Sequence, residues 1–237
     1  MIEADFNLNR RSLGDAGGFS GPPPNRQIEC VCESIVACLP NFVSYVHSEK
    51  IHNENGLNRN LSLLLEHWFR LKNLPFLAQP ESMEDDRCGS SPAPDIGIYY
   101  MLCDSAIDLP KVTVIEGKRL DSGIKKQRRR EYVYGREEKG RHVCCGGMER
   151  FKKRIHGRNQ SSAILLGYMQ TDSFEEWHTK INSWISELIG QAHEPNWLMS
   201  EQLPLMTIDG LSAKCESQLC RTTGALHLVH LWVDLVG

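Results

Sequence analysis

The sequence contains no run of about eighteen apolar residues, and its first residues lack the basic-then-apolar order of a secretory leader, so neither a membrane span nor export is expected. It also lacks a cysteine framework. Nine cysteines is an odd number, and Cys30, Cys32, Cys38, Cys88, Cys103, Cys144, Cys145, Cys215 and Cys220 follow no regular spacing. Reduced thiols in a cytoplasmic protein are the expectation. A Walker-type glycine loop, a GxSxG elbow and an HExxH helix are missing too, which removes support from ATP-driven and serine-hydrolase functions. No internal repeat is present.

What is present suits one folded domain. Apolar residues make up 41% and charged residues 24% of 237 positions, ordinary for a globular chain and against disorder or a coiled coil. The net charge of -3 hides an asymmetry. Between Lys118 and Arg158 fifteen basic residues face five acidic ones, so that stretch carries about +10 and the remainder about -13. A polyanionic partner is therefore compatible with the acidic total.

Residues 1–26, with Gly14, Gly17, Gly18, Gly21 and the Pro22-Pro23-Pro24 triplet, read as a flexible arm preceding a domain over 27–237. Apolar spacings of three and four predict a helix from Gln27 to Leu39, ended or kinked at Pro40. A second helix is predicted over Leu57 to Leu71 behind the caps Asn53 and Asn55. Gln79 to Pro94 reads as an acidic loop, and Ile96 to Leu102 and Lys111 to Ile115 as neighbouring antiparallel strands. The basic stretch Ile124 to Gly140 is expected to be helical. A buried strand at Ser161 to Met169, a helix built on Phe174, Trp177, Ile181, Trp184, Ile185 and Leu188 and closed by Gly190, and a strand over Ala225 to Leu235 complete the order. Helices covering a mixed sheet are implied, an α/β class.

The residues with chemical potential are Pro94-Asp95-Ile96-Gly97-Ile98 and Val114-Ile115-Glu116-Gly117-Lys118. Side chains two apart on a strand share a face, so Glu116 and Lys118 project together, and Asp95, opening the neighbouring strand, can converge on them. Phosphodiester hydrolysis needs such a set. Hard oxygen ligands hold Mg²⁺ or Mn²⁺, the ion acidifies a bound water, and an amine steadies the nucleophile or the charge that builds on phosphorus-bound oxygens.

Pro94-Asp95 followed by Glu116-Gly117-Lys118 resembles the PD-(D/E)xK nuclease superfamily. The resemblance implies a restriction-endonuclease-like fold, a mixed central sheet flanked by helices in a single domain. It also implies that Asp95 and Glu116 bind the metal and that Lys118 assists catalysis. Members often carry a further acid on the helix before the first core strand, for which Glu54 is the candidate and Glu66 the second. The stretches Glu131-Tyr132-Val133, Gly147-Met148-Glu149-Arg150-Phe151, Leu166-Gly167-Tyr168-Met169 and Lys180-Ile181-Asn182-Ser183-Trp184-Ile185 resemble bacterial proteins of this kind, some linked with defence against foreign DNA. A QxxxY helix is not matched, because Glu131 stands four residues after Gln127.

The expected activity is a Mg²⁺- or Mn²⁺-dependent nuclease acting on DNA before RNA. Lys125, Arg128, Arg129, Arg150, Lys152 and Arg154 are the expected contacts to the nucleic-acid backbone, giving salt-dependent binding without base readout. A second copy of the chain or a defence-system protein is the further partner left open. The rival is a binding or assembly protein that keeps the fold without autonomous catalysis. A third class, a zinc module from His142, Cys144, Cys145, Cys215 and Cys220, has no CxxC spacing behind it. His156, His227 and His230 read as packed or surface histidines, and the Trp177, Ile181 and Trp184 stripe as core.

Overall fold

The computed structural model describes residues 22–23, 26–85, 90–101, 109–191 and 195–236. The expected arm over residues 1–26 lies almost wholly outside them, as do Cys88, Leu102, Cys103, Asp104 and Asp108 of the two loops.

Two helices come first, α1 (Gln27–Ser48) and α2 (Glu54–Leu71). Pro40 does not end α1. Leu39, Phe42 and Val46 continue one buried stripe across it, so packing of the last two turns outweighs the hydrogen bond that proline removes. By length and composition α1 would also suffice to cross a bilayer, unlike the sequence expectation, but its apolar stripe is buried against the sheet. In α2 the Asn53 side chain accepts the Gly56 N–H at 2.8 Å, which satisfies one of the first-turn donors and sets Glu54 at the first helical position. Leu57, Leu61, Leu65 and Phe69 lie fully buried along its inner face, each contributing about 1.5–3 kcal/mol of transfer free energy.

Seven strands form one mixed sheet: β1 (Phe76–Pro80), β2 (Ile96–Tyr100), β3 (Lys111–Leu120), β6 (Ser162–Met169), β9 (Ala225–Asp234), β8 (Ser212–Cys220) and β7 (Thr207–Asp209), in that spatial order. The centre β3-β6-β9 is parallel and both flanks are antiparallel. Side chains alternate between two cores, as a period of two requires. Ile115, Ile164, Leu166, Val229 and Leu231 face α1 and α2; Val114, Ala163, Leu165, Leu228 and Trp232 face α3 (Gly147–Lys152) and α4 (Phe174–Leu188). The described residues thus form one mixed α/β sheet with helices on both faces.

The basic stretch is not the expected helix. One 3₁₀ turn, Lys126–Arg128, is followed by a hairpin of β4 (Arg136–Glu138) and β5 (Arg141–Val143), whose Lys139 and Gly140 have φ of 50° and 74°. Two successive positive φ values suit a two-residue hairpin turn, and a run of arginines has no apolar stripe to bury as a helix. Gln79 and Pro80 belong to β1, not to the acidic loop; β1 is the edge of the sheet, where proline is tolerated.

Candidate active site

The register of the first strands explains why the motif converges. Ile96 of β2 faces Ile115 of β3, so Asp95 comes opposite Glu116 where β2 stops and β3 runs on to Leu120. On its far side β3 stays paired with β6 through Leu120. On the near side the backbone has outrun its partner, and carboxylates take over the ladder. Asp95 Oδ2 accepts the Gly117 N–H at 2.7 Å, and Glu54 Oε2 accepts the Arg119 N–H at 3.4 Å. The start of α2 is thereby tied to the open edge of β3.

Lys118 joins the acids. Its Nζ lies 3.0 Å from Glu54 Oε1 and 2.9 Å from Glu116 Oε1, with a side chain only 6% exposed. Glu116 is wholly buried and has both oxygens engaged. Arg150 Nη1 of α3 reaches Oε1 at 2.8 Å, and Oε2 lies 2.8 Å from His156 Nδ1. Three acids and an amine from three places in the sequence, Glu54, Asp95 and Glu116 with Lys118, therefore gather in one cluster. Glu66 is not in it; that carboxylate pairs with Arg70 and accepts the Ala78 N–H at the β1 edge.

Glycine between Glu116 and Lys118 is a steric requirement. A Cβ at Gly117 would stand 2.0 Å from Asn58 Oδ1, the atom that accepts the Tyr168 hydroxyl at 2.8 Å.

The charges in the cluster are strongly coupled. Burial first, then the nearby Glu116 and Glu54 carboxylates, push Asp95 up to about 7 against the opposing pull of Lys118 and the Gly117 N–H. Burial would also raise Glu116, but Lys118, His156 and Arg150 hold it well below the usual carboxylate range. Burial works against the Lys118 ammonium; Glu116, Glu54 and Asp95 outweigh it and raise its pKa. Ionising Asp95 adds a negative charge beside the Glu116 carboxylate, a condition a cation relieves.

As chemistry, the donors suit a hard divalent ion: Asp95 and Glu116, with Glu54 beyond Lys118, offer carboxylate oxygens and no thiolate. Among the described residues, however, no three His, Cys, Asp or Glu side chains surround a common ion position as they stand. Lys118 and Arg150 fill that role on Glu116.

The residues expected to meet nucleic acid separate. Lys125 is exposed. Arg128 forks onto Glu131, and Arg129 donates to the Ile124 carbonyl. Arg154 donates to the Arg158 carbonyl and to Thr223. Lys152 does not reach solvent: it is buried, paired with Glu201 and set 5.0 Å over the Trp197 ring. Arg150 sits on Glu116. Alternation of apolar and basic residues on a six-residue helix carries no sign of which face is buried, so the sequence alone did not separate Lys152 from its neighbours.

His156, expected from sequence to be a packed or surface histidine, is buried and also touches Glu116, so it belongs to the cluster. Nothing local in Arg154-Ile155-His156-Gly157 announces this. His230 is packed between the Tyr132 hydroxyl and Ser217, and burial pushes it down to about 3; His227 pairs with Glu216. The zinc candidates disperse: His142 stacks on Tyr134 and bonds Glu149, Cys215 lies in the core and Cys220 is exposed. Comparisons with protein-family models, with curated proteins and with solved structures gave no match to the chain.

Proposed function

We propose that this chain is a divalent-metal-dependent nuclease on a restriction-endonuclease-like sheet, hydrolysing phosphodiester bonds, with DNA favoured over RNA. The reading is carried by one observation: Asp95, Glu116, Lys118 and Glu54 gather where β3 outruns β2. Asp95 and Glu116 would hold Mg²⁺ or Mn²⁺, with Glu54 near enough to share the load. The ion, when bound, polarises the phosphate and acidifies a water. Lys118, kept protonated by its acidic neighbours, donates to the attacking water or to a phosphoryl oxygen. Glu54 aims that ammonium, and His156 fixes the rotamer of Glu116.

Supercoiled plasmid incubated with Mg²⁺ or Mn²⁺ tests the reading. Wild-type protein should nick or linearise it, and Asp95→Asn and Lys118→Met should each lose about 10²-fold or more of the rate. Cleavage that persists unchanged in both variants overturns the assignment.

A second reading is favoured by the full engagement of Glu116: the cluster is a buried ionic network in a nucleic-acid-binding or assembly protein that does not cleave alone. Plasmid binding that survives without metal-dependent cleavage in wild type would support it.

A further inference from the structure

Two cations crowd one oxygen of Glu116: Lys118 and Arg150 share Oε1 at 2.9 Å and 2.8 Å, while Oε2 carries His156 alone. A hard cation binds through oxygen lone pairs, so ligation through Oε1 requires Lys118 or Arg150 to withdraw. Lys118 is held from the other side by Glu54 and is 6% exposed. His156 is buried. Arg150 differs from both. Its side chain is 29% exposed, and its other hydrogen bond is a long one, Nε to the Cys144 carbonyl at 3.4 Å. It stands on a helix of one and a half turns that begins directly after Gly146. It is therefore the partner best able to leave, and a guanidinium fits a phosphodiester as well as it fits a carboxylate.

We propose that Arg150 is an exchangeable counterion that couples metal binding to substrate. In the free protein its guanidinium neutralises Glu116 and keeps divalent-ion affinity low. When a phosphodiester enters, the guanidinium moves to the phosphate oxygens and Oε1 becomes available to the ion. The inference rests on the nuclease reading and deepens it, because it assigns a residue that contacts the scissile phosphate. Linkage makes the coupling reciprocal: phosphate tightens the metal and metal tightens the phosphate.

The test is Mn²⁺ binding to the full chain, counted by the electron spin resonance of free ion, without nucleic acid. Arg150→Met should bind Mn²⁺ about tenfold more tightly than wild type, and Asp95→Asn/Arg150→Met should lose that site. Thymidine 3′,5′-bisphosphate, which has no diester to cleave, should tighten Mn²⁺ binding in wild type and leave Arg150→Met unchanged. Equal Mn²⁺ affinity in wild type and Arg150→Met, or no effect of the bisphosphate on wild type, overturns the role of Arg150 and leaves the nuclease reading standing. Absence of Mn²⁺ binding in every protein, with and without the bisphosphate, overturns both. Arg150→Gln, neutral but able to donate to Glu116, replaces the methionine variant if circular dichroism shows that it does not fold.

Discussion

Asp95 Oδ2 accepts the backbone N–H of Gly117 at 2.7 Å, so the first acid of the motif completes the ladder of the strand that carries the second. Each acid is thereby fixed by the polypeptide it serves. A carboxylate placed this way is held in register before any ligand arrives. Its position has a cost, because burial beside two other carboxylates disfavours the ionised form.

That cost should be visible in stability. The folded Asp95 carboxyl titrates at about 7 against an ordinary value of 3.8, so between those values the folded state binds more protons than the unfolded one and stability falls as pH rises. The loss from this group is complete above about pH 7 to 8. Asp95→Asn keeps an acceptor for Gly117 and removes the charge. At pH 8 it should be more stable than wild type by about 2 kcal/mol, or about 4–8 °C in Tm, with the difference shrinking towards pH 4. Thermal unfolding at both pH values decides; equal stability at pH 8 contradicts the electrostatic account.

The contact between Gly117 and Asn58 predicts a rescue. Gly117→Ala puts a methyl group 2.0 Å from Asn58 Oδ1 and should destabilise by about 1–3 kcal/mol in urea unfolding. In an Asn58→Ala background the same substitution should cost clearly less, a coupling a double-mutant cycle measures. Additive effects would show that the two positions do not press on one another.

His156 is expected to act through Glu116. His156→Ala leaves Oε2 buried without its partner, at about 1–3 kcal/mol of stability, and should lower the rate of plasmid cleavage. His156→Asn, with a shorter polar side chain, should recover part of both. A substitution with full cleavage activity would remove His156 from the site.

Two lysines of the basic stretch should behave oppositely. Lys152→Met removes one partner of the buried pair with Glu201, should destabilise by about 3–5 kcal/mol and leaves the salt dependence of DNA binding unchanged in the folded fraction. Lys125→Ala should leave stability within about 0.5 kcal/mol and reduce the slope of log affinity against log salt by about 1. Titrations of a fluorescent duplex at several salt concentrations separate the two.

The contrast shows which features the sequence exposes. The α2 and α4 stripes, the strands at Ile96, Lys111 and Ser161, and the placing of Asp95 beside the strand that carries Glu116 and Lys118 are legible, because apolar period and residue spacing report directly on element and face. β8 was not, since Ser212, Cys215 and Ser217 point inward where apolar residues would have signalled a strand. The helix expected over Ile124 to Gly140 gives way to the β4 arm of a hairpin because the turn residues, Lys139 and Gly140, are inconspicuous among charges. Arg150, Lys152 and His156 lie within seven residues, yet one caps the cluster, one is locked to Glu201 and one holds Glu116. Those fates depend on contacts with β3 and on Glu201, which no local pattern records.

The central claim is most directly tested by the anomalous scattering of Mn²⁺ in crystals of the protein grown with a DNA duplex. The account predicts one ion within about 2.2 Å of carboxylate oxygens of both Asp95 and Glu116, with the Arg150 guanidinium moved to a phosphate. An ion bound elsewhere, or none, with Arg150 still on Glu116 beside bound DNA, would contradict it.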